Sequence, residues 1–137
     1  MVEEDPLLFG VRSLCHAAVR RAVTAALADA GLVEGIATVA VVGSTAAITT
    51  LEFESGVIRD LGGVCERFAP RAGDYAHHLR WGDDNGSSHV RAALFGPSVT
   101  IPFTDRSLTL GTWQQVTLLE FDTGPRQREV VIQLMGD

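Results

Sequence analysis

Ile36-Ala37-Thr38-Val39-Ala40-Val41-Val42, then Gly43-Ser44, then Thr45-Ala46-Ala47-Ile48-Thr49-Thr50-Leu51-Glu52-Phe53-Glu54: the fold turns on this stretch. A continuous apolar, partly β-branched run is followed by an extended, hydroxyl-rich one, and both read as strand. Two arrangements fit: one long strand bulged at Gly43, or two strands separated there. Glu52 lies near the end of the second run. Alternation with Leu51 and Phe53 either turns its carboxylate to solvent or brings it into a site as acid, base or metal ligand.

Upstream, Leu14 to Ala30 has helical spacing, with Leu14, Ala18, Ala22 and Ala26 on one stripe and Val23, Leu27 and Ala30 beside it. Ser13 fits an N-cap and Gly31 a C-terminal stop. Downstream, a second helix follows Ser55, carrying Val57, Leu61, Val64, Cys65 and Phe68 on one face and ending before Pro70; its Gly62-Gly63 pair predicts close backbone contact. From Arg71 to Ser88 periodicity vanishes, which predicts loop. Next come a short helix or turn (His89 to Phe95), a strand (Val99 to Phe103), a turn at 104–107 and a long strand (Leu108 to Phe121). A hairpin at Asp122-Thr123-Gly124-Pro125 leads to a last strand, Arg128 to Met135. Helices early and strands late favour α+β over a doubly wound sheet. The 137 residues are read as a single domain.

Composition narrows the function. The apolar runs are too short to span a bilayer. The opening Met1-Val2-Glu3-Glu4-Asp5-Pro6 lacks a secretory leader pattern, so the expected compartment is cytoplasmic. Cys15 and Cys65 are both expected inside helices as buried hydrophobes and not as a disulfide. A formal charge of −6, with 11 arginines and no lysine, argues against nucleic acid as a partner. A small phosphorylated molecule held by a few arginines and backbone N–H groups stays compatible.

Three of the four histidines, His77, His78 and His89, share the polar stretch with Asp74, Tyr75, Asp83, Asp84 and Asn85. His16, in the first turn of a helix, reads as a surface or boundary residue. If His89 packs back on the loop, its imidazole and one of the His77-His78 pair could converge on a divalent metal with a carboxylate as third ligand. A solvated polar loop is the plain alternative, since no tight metal signature is present. Gly111-Thr112-Trp113-Gln114-Gln115 places polar groups mid-strand, which marks a functional surface or subunit interface. Phosphate-loop, dinucleotide and nucleophile-elbow motifs are absent.

Tyr75-Ala76-His77-His78, Asp84-Asn85-Gly86, Ser88-His89-Val90-Arg91-Ala92, Gly96-Pro97-Ser98-Val99-Thr100-Ile101-Pro102 and Leu110-Gly111-Thr112-Trp113-Gln114-Gln115 together resemble the YjbQ-like family, often called secondary thiamine-phosphate synthases. Thr45-Ala46-Ala47-Ile48 with Glu52 resembles its first motif. The resemblance implies a small, sandwich-like α+β domain with a largely antiparallel sheet and two main helices. It also implies a homotrimer with a polar pocket near the subunit boundary, and a weak activity joining a pyrimidine diphosphate to a thiazole phosphate with loss of pyrophosphate. Such a reaction asks for a divalent ion, Mg or Zn, and for donors to the departing pyrophosphate. By the resemblance, Glu52, His77 and His89 are the acid–base or catalytic groups, with His77 and His89 as metal ligands; Asn85, Ser98, Thr112, Trp113 and Gln114 contact the ligand. One departure matters: the family's His-Thr-Thr-Ala is replaced by Gly43-Ser44-Thr45-Ala46, which leaves open a catalytically degenerate ligand-binding or structural trimer. Met1 to Val11 also differs, being acidic and proline-broken where relatives carry a first strand.

Overall fold

A computed structural model describes residues 13–137; the reading of Met1 to Val11 lies outside the described residues. Gly43 separates two strands: β2 (Gly35–Val42) and β3 (Ala46–Leu51) belong to different sheets. Gly43 has φ +143, an angle that L side chains rarely adopt, so the chain changes sheets at a glycine. One sheet has the order β1-β6-β3, with β1 (Ser13–Cys15) and β6 (Gln115–Glu120). The other has the order β5-β4-β2-β7, with β4 (Ser98–Thr104), β5 (Ser107–Leu108) and β7 (Glu129–Gly136). Every strand pair is antiparallel. Two 14-residue helices, α1 (Ala17–Ala30) and α2 (Ser55–Phe68), are accompanied by the shorter α3 (Ala76–Trp81) and α4 (Gly86–Phe95), which both follow α2.

The β3–β6 ladder separates two cores. Ala46, Ile48 and Val116 face the larger one, with Val19, Val23 and Leu27 of α1 and Ala37, Val39, Val41, Ile101 and Phe103 of the four-stranded sheet. Ala47, Leu119 and Phe121 face the smaller one, with Cys65 of α2 and Ala92 of α4. Two-residue alternation therefore buries both faces of these strands. Arg91, also buried, ties α4 to the end of α2 by donating to the Ala69 carbonyl at 2.7 Å and to Glu66 at 2.6 Å.

Several expectations need correction. Ser13 and Cys15 belong to β1, which pairs with the edge of β6, so α1 starts later with His16 at its N-cap and no side-chain cap bond. The buried stripe of α1 is Val19, Val23 and Leu27; Ala22 is exposed, because the larger apolar residues take the inner face. Gly31 does end α1 in the left-handed region. At Gly63 an added Cβ would meet nothing within 4 Å, so the expected backbone contact is absent there. The stretch 71–88 is not all loop: it contains α3 and the start of α4. The expected strand Leu108 to Phe121 is broken, because Gly111–Gln114 forms a turn in which the Gln114 N–H donates to the Gly111 carbonyl at 3.0 Å. Both cysteines are free. Among the described residues no helix is long and apolar enough to cross a membrane.

Leu119, fully buried between the ladder and α2/α4, should be costly to truncate. Leu119→Ala is expected to lower the unfolding free energy by about 3 kcal/mol. Leu79→Ala, at a side chain 92 % exposed, should change it by less than about 0.5 kcal/mol. Urea denaturation monitored by circular dichroism checks both.

Candidate functional site

The register of β3 on β6 sets Ala46 opposite Glu120 and Leu51 opposite Gln115. At the Glu120 end, a set of charges is buried. Arg128, arriving on the chain into β7, donates from Nε to one Glu120 oxygen at 2.6 Å and from Nη2 to the other at 2.7 Å. Nη2 also donates to Thr45 Oγ1 at 2.6 Å, and the Thr45 hydroxyl donates to Asp122 at 2.9 Å. Arg126 Nε completes the group with a 2.8 Å bond to Asp122. Burial pushes the Asp122 carboxyl up, but bonds from Arg126, the Thr123 N–H and Thr45 outweigh it and hold its pKa at about 2. These five residues were read from sequence as strand ends and a plain hairpin, and none was expected in a site.

His89 lies one turn into α4, its N–H donating to the carbonyl of the N-cap Asn85 at 3.3 Å. His77 reaches it from α3, with ring centroids 4.3 Å apart. Burial and the neighbouring His77 lower the His89 pKa, against opposing contributions from Asp122, Asp83 and a hydrogen bond to the Ser44 backbone. Burial and the His77 neighbour thus favour the neutral form of His89. His77 Nε2 lies 3.4 Å from Asp83, and among the described residues it and Asn85 Oδ1 are buried polar atoms without a hydrogen bond. His78 turns the other way: its Nε2 accepts the Gly86 N–H at 3.1 Å, against the Tyr75 ring. An added Cβ at Gly86 would lie 2.5 Å from Tyr75 Cβ, so only glycine permits this packing of α3 on α4.

The remaining expected residues lie elsewhere in the chain. Gln114 accepts the Gly111 N–H at 3.1 Å and donates to Thr50 at 3.1 Å. Thr112 and Trp113 are exposed beside it, Trp113 by 69 %. Glu52 is exposed just past β3, and Ser98 is exposed at the start of β4, opposite Ala40. The Gln114 turn lies beyond the Gln115 end of the ladder and the histidines at its Glu120 end, roughly 17 Å apart at about 3.4 Å per residue. Within one chain, therefore, the tryptophan-bearing segment does not complete the histidine site. Among the described residues no group of three or more His, Cys, Asp or Glu side chains could hold a metal ion. His16, the boundary residue, packs on Phe53 with ring centroids 4.0 Å apart.

Residues 12–137 match the family model described as UPF0047 protein YjbQ-like. A UPF0047 protein of Methanothermobacter thermautotrophicus is 37 % identical over 114 residues, covering 83 % of this chain and 78 % of the relative. One from Archaeoglobus fulgidus is 37 % identical over 92 residues, covering 67 % and 71 %. Among solved structures, a YbjQ-like protein of unknown function from Sulfolobus solfataricus superposes with a TM-score of 0.82 at 29 % identity, covering 91 % of this chain and 88 % of that one. An uncharacterised YjbQ/UPF0047 protein from Clostridium acetobutylicum gives a TM-score of 0.79 at 32 % identity, covering 90 % and 91 %.

The depressed Asp122 pKa makes a stability prediction. A carboxyl at about 2 in the fold, against an ordinary 3.8, stabilises the folded state above about pH 4 by about 2 kcal/mol. That contribution should fade as pH falls toward about 2. In urea titrations, Asp122→Asn is expected to be less stable than the parent by about 2 kcal/mol at pH 6, and the gap should close toward pH 2.

Proposed function

We propose that this chain, which belongs to the YjbQ-like UPF0047 family, holds a small phosphate-bearing molecule against the His77–His89 pair and works as a homotrimer. The observation that carries this reading is the meeting of those two rings, 4.3 Å apart, with His77 Nε2 and Asn85 Oδ1 both buried and without a hydrogen bond among the described residues. Buried polar atoms in native proteins nearly always have partners, and the polar atoms of a ligand would supply them. The family resemblance supplies the reaction: weak thiamine-phosphate synthase chemistry. The thiazole nitrogen attacks the carbon bearing the diphosphate, the carbon–oxygen bond breaks, and its electron pair leaves on pyrophosphate. Positioning and charge stabilisation carry most of such a step. His77 and His89 would hydrogen-bond the leaving oxygen, and Asn85 would orient the substrate.

Two imidazoles fall short of the three or four ligands that a zinc site takes, so a resident zinc does not fit the described residues of one chain. Mg²⁺ would enter on the phosphates of the substrate, and the protein's own contribution to the proposed chemistry rests on the imidazoles. Trimer formation is supported by large apolar side chains left exposed, including Trp113, Leu94 and Met135. It would also let the turn carrying Thr112, Trp113 and Gln114, with Glu52 and Ser98, approach the histidines of a neighbouring copy. Two free thiols fit a reducing compartment, and the proposal places the protein in the cytoplasm.

A second reading, a ligand-binding trimer without catalysis, is favoured by Gly43. Its added Cβ would lie 2.7 Å from Arg128 Nη1, so a histidine there cannot be restored without moving the guanidinium.

Three measurements test the proposal. Light scattering should give three times the chain mass. Incubation of the two phosphorylated precursors with Mg²⁺ should yield thiamine phosphate. His89→Gln should cut that rate by about 10²-fold or more. A parent protein that binds a phosphorylated precursor but forms no product selects the binding reading; one that neither binds nor reacts removes both.

A further inference from the structure

Arg128 is held at two of its three nitrogens. Nε and Nη2 are committed to Glu120 and Thr45, whereas Nη1 makes no hydrogen bond among the described residues and lies against Gly43, 2.7 Å from the place of an added Cβ. A guanidinium gripped at one edge by a carboxylate is fixed in orientation, with its remaining N–H groups aimed in one direction. Here they point over Gly43, the residue before Ser44, whose backbone hydrogen-bonds His89. His77 packs on that ring, with centroids 4.3 Å apart. The Arg128 side chain is 11 % exposed, and at the exposed Gly43 no side chain covers the guanidinium edge.

We propose that Arg128 Nη1, the open face of Gly43 and the His77–His89 pair form one oxyanion subsite, which takes the terminal phosphate of a diphosphate group. The inference rests on the reading that the histidine pair holds a phosphate-bearing ligand, and it assigns which end of that ligand lies there. Glu120 and Asp122 do not oppose it through net charge, because Arg128 and Arg126 neutralise them pair by pair; Asp83, 3.4 Å from His77 Nε2 with its side chain 48 % exposed, turns to solvent as the phosphate enters. Their part is to hold the two arginines in place. An always-charged, planar donor suits phosphate oxygens, and a lysine at 128 could not grip Glu120 and present a free edge at once.

Inorganic pyrophosphate is the probe, titrated calorimetrically into the assembled protein. The parent should bind it. Arg128→Lys and Gly43→Ala, the latter keeping every charge and laying a methyl against Nη1, should each weaken binding at least tenfold, as should His89→Gln. Because either of the first two substitutions could loosen the fold, the unmutated protein gives a second readout: the Arg128 side-chain N–H signals in ¹⁵N spectra should shift on adding pyrophosphate. Binding lost in His89→Gln, with those signals unmoved and folded Gly43→Ala binding like the parent, overturns the subsite and leaves the ligand reading standing. No binding of pyrophosphate by the parent overturns the subsite, and the ligand reading falls with it only if the phosphorylated precursors also fail to bind.

Discussion

Everything in this fold depends on the β3–β6 ladder being buried on both faces. An antiparallel pair with one wet face would show hydrophobic residues at every second position. Here Ala46, Ile48 and Val116 face one core and Ala47, Leu119 and Phe121 the other. The consequence for function is positional: a strand covered on both faces can present chemistry only at its ends. At one end β6 emerges into Glu120-Phe121-Asp122, and at the other it begins beside the Gly111–Gln114 turn.

The Glu120 end is stabilised by charge where the middle is stabilised by apolar contact. Burying two carboxylates is unfavourable unless each is paired and hydrogen-bonded. Arg128 and Arg126 provide the pairing, and the Thr45 hydroxyl joins the two pairs by accepting from Arg128 and donating to Asp122. This group lies at the start of β3, the strand on which α4 packs. The histidines sit on the short helices α3 and α4, so their position depends on local packing: Gly86 against Tyr75, and Arg91 clasping the end of α2.

The parts of the fold legible in the sequence were those with period and punctuation. Gly31 as a stop and the turn after β6 follow from residue spacing. The hairpin expected at that turn does not form, because β6 and β7 pair in different sheets, and of the expected α2 face Cys65 is buried while Val64 and Phe68 are exposed. The His77–His89 meeting was legible only as a clustering of residue types, since α3 is too short and polar to show helical periodicity. Tyr75 closing on Gly86 decides which histidine turns inward, and no local pattern encodes that contact. The break at Gly111 was missed because a glycine among strand formers reads equally as a weak strand or a turn. The buried charges did leave a signal. Glu120 and Asp122 before the turn and Arg126 and Arg128 after it are each spaced by two, so acids and bases flank one turn. Polar turns so often face solvent that the spacing alone carries little weight.

Gly43 joins these threads, because the backbone and the charges both bear on one atom's absence. Its φ of +143 lets the chain leave the four-stranded sheet and enter the three-stranded one, and its missing Cβ leaves the space against which Arg128 Nη1 rests. A side chain at this position would bear on the sheet crossing and on the guanidinium together. Moving that guanidinium would strain its grip on Glu120 and Thr45, and through Thr45 the bond to Asp122. Gly43 is thus coupled to an arginine eighty-five positions away in sequence, and a substitution there acts on the guanidinium as well as on the backbone.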